Sequence, residues 1–480
     1  MLMNDREWLH NAVYAKRDSY AALNDEIHGY AETSFEEYRS AAALIRVLKE
    51  EGFEVREGLA DMPTCFTGTA GSGRPVIGIL GEFDALDGLS QEAGVPVRKP
   101  VKEGAPGHGC GHCCLGTASL AAAAAVRDYL EAHHLSGTVV YFGCPAEEGA
   151  GSKQFMARAG LFDDVDFVYT WHPSTTNDVS ADCTTAIMGA NFEFTGISVH
   201  AGGSPWLGRS ALDAAELMNV GCNYLREHIR DGQRIHYAYS DAGGSAPNVV
   251  PDHVKIKYEV RARTVAEVKK LFERVTKVAR GAAMMTETEV RIDLTMAFSD
   301  FRNNSVLAET ASACLEEIGA PAWDEEDYAL ARAFLNSYEP VQKKAIIKEL
   351  AETWGQENLA GILEKPLHSG VKPYDSSKAE YEGGSTDVGD VSYAAPTCEI
   401  HTAAACMGNI GHTWQMAAQA GSRIGHKGLM TAAEAMALAC IRMAADPEKI
   451  RLAKEETLKR NGGKYSCPLP DSVMPPVGKY

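Results

Sequence analysis

No stretch of this sequence approaches the roughly 18 uninterrupted apolar residues that a bilayer span needs. The opening MLMNDREWLH also lacks the basic start and apolar core of a secretion signal. A cytoplasmic location is therefore expected, with no membrane partner. Basic residues are outnumbered, 46 Lys and Arg against 65 Asp and Glu for a formal charge of -19, and they form no long block. Such a chain is repelled by nucleic acid and by anionic lipid, so small molecules or other protein chains are the expected partners. Cysteine is sparse as well: twelve in 480 residues cannot build a disulfide scaffold. Cys65, Cys183, Cys222 and Cys314 lie in apolar or helical contexts and are expected as small reduced core residues.

Against that background GAPGHGCGHCCLG, residues 104–116, is dense in chemistry, with two histidines and three cysteines in one Gly-rich turn. The flanking pattern is α/β. TSFEEYRSAAALIRVLKEEGFEV has apolar residues at helical spacing after a Thr/Ser cap and an acidic first turn. PVIGILGEFDAL is a short apolar run suited to a buried strand that delivers Glu82 and Asp84 at its end. An Ala-rich helix follows the Gly/Cys/His turn. GTVVYFGCPAEEGAG then ends a second strand in Glu147 and Glu148, and DFVYTWHP ends a third in His172. Strands that finish in ligand-type residues are the usual setting of a site in an open α/β sheet. From Met188 the signals change to alternating strands and helices, which predicts a smaller α+β unit over residues 188–299 set into a larger domain of 1–187 and 300–480. Residues 321–381 are polar and helical without assignable chemistry, and the Pro/Gly-rich end is expected as an irregular tail.

Cys110, His112, Glu148, His172 and His412 are thiolate, imidazole and carboxylate groups of the kind that hold zinc- or manganese-class ions. Adjacent Glu147 and Glu148 at a strand end are costly unless cations or protons neutralise them. Five donors and a spare carboxylate match a two-metal hydrolase, in which two cations activate water and polarise a carbonyl while the carboxylate acts as general base and acid. Two other readings stay open. Cys110 and Cys113 satisfy the C-x-x-C spacing of a redox pair, and GHGCGHCC alone could be a closed structural zinc site, although no second Cys/His pair lies nearby.

In their order, GHGCGH, AEEGAGS, WHP, HAGGSPWLGRSALDA, NVVPD, GGSTDVGDVS and GHTWQ resemble the dinuclear-metal amidohydrolases and metallopeptidases. These include aminoacylases, hippurate hydrolases, plant indole-acetyl-amino-acid hydrolases and bacterial p-aminobenzoyl-glutamate hydrolases, with the B-subunit branch of the last most alike. The resemblance runs from about Ala31 to Ala435. It implies a metallopeptidase domain with a mixed sheet flanked by helices and an inserted ferredoxin-like lid that also dimerises. Cys110, His112, Glu148, His172 and His412 would hold two ions, Mn2+ or Zn2+, with Cys110 at the thiolate or bridging position. Glu147 would be the general base, and Asp84 would orient a ligand imidazole. Glu82 stands where relatives with His-x-Asp carry a ligand histidine. His200 would reach the site of a second chain and stabilise the oxyanion, while Asn248, Arg261, Gly384 and Ser385 would hold the substrate and its carboxylate. Cys113 and Cys114 depart from the His-Asp or His-Asn of many relatives. The implied reaction is hydrolysis of an N-acyl or N-aroyl amino acid, best p-aminobenzoyl-glutamate to p-aminobenzoate and glutamate, by a homodimer or with a homologous second subunit. The alternatives are an indole-acetyl-aspartate-type substrate and a catalytically silent partner subunit.

Overall fold

The computed structural model describes residues 4–381 and 383–478. Its strands, in chain order, are β1 (Glu54–Glu57), β2 (Phe66–Ser72), β3 (Val76–Glu82), β4 (Gly137–Cys144), β5 (Phe167–Ser174), β6 (Ala186–Thr195), β7 (Arg234–Asp241), β8 (His253–Ala262), β9 (Glu289–Phe298) and β10 (Thr397–Ala403). Six form one mixed sheet in the order β1-β2-β4-β3-β5-β10. Within it β4, β3, β5 and β10 run parallel, while β2 and β1 close one edge antiparallel. Helices cover both faces, so β3 and β5 are apolar almost throughout.

The chain steps from β3 to β4 on one side, then crosses back past β3 to β5 on the other. The strand order thus reverses around β3, and the C-terminal ends of β4, β3 and β5 frame a crevice of the kind where α/β sheets bind ligands. Into it points the N-terminus of the buried helix His112–Ala132. That helix lies against β3 so closely that a Cβ at Gly116 would stand 2.6 Å from the Glu82 carbonyl oxygen. Glycine here is what lets His112 reach Glu82 at the end of β3 and Asp84 just after it.

The other four strands form an antiparallel sheet, β7-β8-β6-β9, with helices Ala211–Leu225 and Val265–Thr286 on one face. This is a ferredoxin-like βαββαβ unit. Period-two burial sets its two faces: Val254, Ile256, Tyr258 and Val260 pack under the helices, while Lys255, Lys257, Glu259 and Arg261 face the other way. The expected mixed sheet flanked by helices, with a smaller α+β unit set into it, is the architecture formed.

Helices Glu325–Asn336, Pro340–Trp354 and Leu359–Glu364 share a small core of their own with Met407 and Trp414. Among the described residues beyond Asn461 there is no regular element, as expected, but the segment is anchored: Leu469 is buried, the Tyr465 hydroxyl donates to Asp390 Oδ1 at 2.9 Å, and Arg158 donates to the Pro470 carbonyl at 3.0 Å. No single helix among the described residues is long and apolar enough to cross a membrane.

One local expectation fails. The helix after Thr33 and Ser34 begins only at Tyr38, and neither residue caps it. Glu37, expected as an acidic first-turn residue, is buried with its carboxylate turned to other duty, described next.

Candidate metal centre

The C-terminal ends of the parallel strands, and the loops that follow them, deliver the parts of one cluster. After β3, Asp84 accepts from His112 Nδ1 at 2.8 Å through Oδ1 and from the Glu148 N–H at 2.9 Å through Oδ2. One carboxylate therefore fixes both an imidazole and the backbone of the Glu147–Glu148 turn. Gly111 makes the turn before His112 in the left-handed region, φ +83°, which glycine adopts without penalty. With Nδ1 engaged, His112 turns Nε2 toward Glu82 Oε2 at 3.3 Å and Glu148 Oε1 at 4.0 Å.

Cys110 Sγ lies 3.3 Å from His172 Nε2, and His172 Nδ1 is tied to the Pro173 carbonyl at 2.9 Å. His172 is part of β5 itself, beside β10, and not in the loop beyond. After β4, Ala146 takes a positive φ of +59°, and its N–H donates to buried Glu37 Oε1 at 3.0 Å. That bond bends the chain so that Glu147 and Glu148 diverge. Glu148 Oε1 stands 3.4 Å from His412 Nε2, while a Glu147 oxygen joins Glu82 and His112.

Donor atoms of Cys110, His112 and His172 lie within 4.8 Å of one another, as do those of Cys110, Glu148 and His412. The two triads share the Cys110 sulfur. Two buried atoms among them, His112 Nε2 and Glu148 Oε1, have no hydrogen-bond partner among the described residues. Buried lone pairs of this kind are costly without a cation, and a sulfur, imidazole and carboxylate set suits zinc- or manganese-class ions. The five residues could hold two of them. A third triad, Glu82, His112 and Glu147, differs in that Glu82 is already neutralised. Lys153, fully buried, meets Glu82 Oε1 at 2.7 Å and also pairs with the Asp387 carboxylate. The carboxylate that ends β3 is therefore half of an ion pair.

Proton affinities are split across the cluster. Burial and then the charges of Glu82, Asp387 and Glu148 push Glu147 well above the usual carboxylate range. Burial would raise Glu148 too, but the neighbouring imidazoles of His412 and His112 outweigh it and bring it to about 2. Two adjacent carboxylates are thereby given opposite characters, one a proton holder and one a permanent anion. His108, the other histidine of the turn, bonds the Ile27 carbonyl in the core and is pushed down to about 3 by burial. Cys113 and Cys114 are buried, and Cys114 donates to the Ala420 carbonyl, so neither thiol is available for exchange at the surface.

A cleft of about 1200 Å³ opens at the cluster, lined by Glu147, Glu148, Arg261, Ser385 and, from the tail, Val473 and Met474. Arg261 reaches across from β8 and donates to Ser385 Oγ at 2.9 Å. Ser385 Oγ in turn donates to the Thr185 carbonyl at 2.6 Å, and the Gly384 carbonyl accepts from the Thr185 N–H at 2.8 Å. His200 and Asn248 lie elsewhere. Both are exposed on the ferredoxin-like unit, side by side through the Ala201 N–H to Asn248 carbonyl bond at 2.9 Å, and neither lines the cleft. His200 Nδ1 accepts from the Gly202 and Gly203 N–H groups, which leaves Nε2 as a proton-bearing donor facing outward.

Three residues that hold the site were missed from sequence. Lys153 stands among apolar helix residues and Asp387 lies inside GGSTDVGDVS, so a lysine in a buried pattern was the available signal. Glu37 had none, because its partner Ala146 is 109 residues away.

The protein-family model that describes "Peptidase family M20/M25/M40" matches residues 78–335. The chain is 39% identical to the B subunit of p-aminobenzoyl-glutamate hydrolase from Escherichia coli K12, over 98% of each chain. It is 28% identical to the A subunit of that bacterium's enzyme, over 54% of this chain and 70% of the other. Among solved structures, the Bacillus subtilis YXEP protein, described as a dinuclear metal binding peptidase from the M20 family, shares the fold with a TM-score of 0.57 at 16% identity, covering 90% of this chain and 99% of its own.

Proposed function

Since the chain belongs to the peptidase family M20/M25/M40, we propose that it hydrolyses the amide bond of N-aroyl or N-acyl amino acids, with p-aminobenzoyl-glutamate as the best substrate. The observation that carries this reading is the pair of ligand triads sharing Cys110, with two unpartnered buried donor atoms, set directly beside a proton-holding Glu147. The similarity to the B subunit of p-aminobenzoyl-glutamate hydrolase supports the choice of substrate.

Cys110, His112, Glu148, His172 and His412 would hold two divalent ions, Mn2+ or Zn2+, whose Lewis acidity would act on the attacking water and the scissile carbonyl. The remaining work falls to the protein. Glu147 takes a proton from the attacking water and passes it to the leaving amine nitrogen. Asp84 keeps His112 in one tautomer and orientation. Arg261 and Ser385 bind the substrate carboxylate with charge-assisted hydrogen bonds at the cleft wall.

His200 acts on a second chain's substrate, donating Nε2–H to the oxygen that becomes negative, with Asn248 beside it. Its position outside its own cleft supports action in trans. Pairing runs through the ferredoxin-like unit as a lid and dimerisation domain, supported by exposed Trp206, Tyr224, Met284 and Met285 on that unit. A homologous second subunit is the other candidate partner, because the E. coli enzyme named above has two homologous kinds of chain.

The test is hydrolysis of p-aminobenzoyl-glutamate, indole-acetyl-aspartate and hippurate by manganese-supplemented protein, with products separated by chromatography. Release of p-aminobenzoate and glutamate is expected to be fastest. Cleavage of another member alone would move the substrate, and cleavage only after a second homologous chain is added would make this chain half of an enzyme.

A further inference from the structure

His412 lies on irregular backbone between β10 and helix Trp414–Ala420, and its φ of +55° is in the left-handed region. A ligand on such a loop depends on what grips the loop. One grip is internal to the large domain: the His412 N–H donates to the Gly109 carbonyl at 2.9 Å, next to Cys110. A second is Gln419, which accepts from the Cys406 N–H and donates to Asn409 Oδ1, both at 2.8 Å.

The third grip comes from the helical stretch to which the sequence assigns no chemistry. Tyr338, buried between helices Glu325–Asn336 and Pro340–Trp354, accepts the Ile410 N–H at 2.9 Å and donates to Asn409 Oδ1 at 3.0 Å through the same hydroxyl. Around it Phe334, Leu335 and Ile346 share a core with Met407 and Trp414, residues that bracket the loop. The fit is close, since a Cβ at Gly408 would stand 2.4 Å from Ile346 Cγ2. The Met407 N–H also bonds the Pro366 carbonyl at 2.9 Å. Contacts from the helical stretch therefore reach Met407, Asn409 and Ile410 before His412 and Trp414 after it.

We propose that the helical stretch 321–381 is the device that positions His412, with Tyr338 as its positioning residue. It serves the Cys110, Glu148 and His412 triad and leaves Cys110, His112 and His172 to their own supports. The proposal rests on His412 being a ligand.

The experiment titrates Mn2+ into chelated full-length protein, following bound ion by electron paramagnetic resonance. Tyr338→Phe keeps the ring and removes only the hydroxyl. It is expected to bind one ion as the unmodified protein does and the other about ten- to hundredfold more weakly. Leu359→Ala, in the same small core and away from the hydroxyl, should lower Tm while leaving both affinities unchanged. Two unchanged affinities in Tyr338→Phe, or an equal loss at both, would overturn the proposal. Should Tyr338→Phe fail to fold, Ile346→Ala, which loosens the same stretch against Gly408, is read the same way. His412→Ala separates the premise: unchanged binding of both ions there would show that His412 is no ligand.

Discussion

The large sheet and the ferredoxin-like unit present their functional groups on opposite principles. On the large-sheet side the supports are buried and each backs another group: Asp84 behind His112, Glu37 behind the turn that carries Glu147, Lys153 and Asp387 behind Glu82. On the ferredoxin-like unit His200 and Asn248 are exposed, lie outside their own chain's cleft, and are held by short backbone bonds within and between their two loops. The first is rigid and complete in one chain, as a cluster of like charges requires if it is to keep its geometry. The second offers donors that find their target only when another surface arrives. Substitutions on the two sides should therefore fail in different ways.

The largest effect is expected at Glu147. Glu147→Gln keeps shape and burial but cannot hold the proton, so kcat for p-aminobenzoyl-glutamate should fall by about 10²- to 10⁴-fold with metal content by elemental analysis unchanged. Turnover near the unmodified rate would remove Glu147 from the chemistry. Lys153→Met should act on folding, because it leaves Glu82 and Asp387 as uncompensated buried anions. A loss of about 3–5 kcal/mol in denaturant unfolding is expected, and a change below about 1 kcal/mol would show that the three residues are not a structural unit.

On the ferredoxin-like unit His200→Ala should lower kcat by about 10²- to 10³-fold, the usual cost of a lost oxyanion donor, with Tm unmoved. Mixing His200→Ala with Glu147→Gln sharpens the comparison. If His200 works across a two-fold pair, each mixed dimer holds one complete site and activity should return to roughly a quarter of normal; no recovery on mixing would place His200 in its own chain's cleft. The smallest effect belongs to Arg261→Ala, where losing a charged hydrogen bond of about 1.5–3 kcal/mol should raise KM about 10- to 100-fold and lower kcat less. A change confined to kcat would take Arg261 away from substrate binding.

The same contrast decides what could be foreseen from the sequence. Strand ends such as GEFDAL, CPAEEGAG and TWHP mark themselves, because an apolar run that stops at a carboxylate or imidazole has one physical use. The α+β unit followed from the change of pattern near Met188, and the mixed sheet from the family resemblance. The supports were less legible. Glu37 resembles any acidic first-turn residue until β4 is folded beside it, and Tyr338 is one aromatic in an amphipathic helical stretch. The tail was expected to be irregular, and it is, yet Val473 and Met474 line the cleft because anchors at Tyr465 and Leu469 bring them there. Local pattern reports which residues carry chemistry; contacts between residues far apart in the chain determine what holds them.

The most direct test of the account is a metal titration read by turnover. Protein stripped with a chelator is given Mn2+ or Zn2+ in steps while p-aminobenzoate release from p-aminobenzoyl-glutamate is measured against bound ion. The account predicts no turnover without metal, and full turnover only as the second ion per chain binds, with Cys110→Ser silent throughout. Turnover by metal-free protein, or by Cys110→Ser at the unmodified rate, would contradict it.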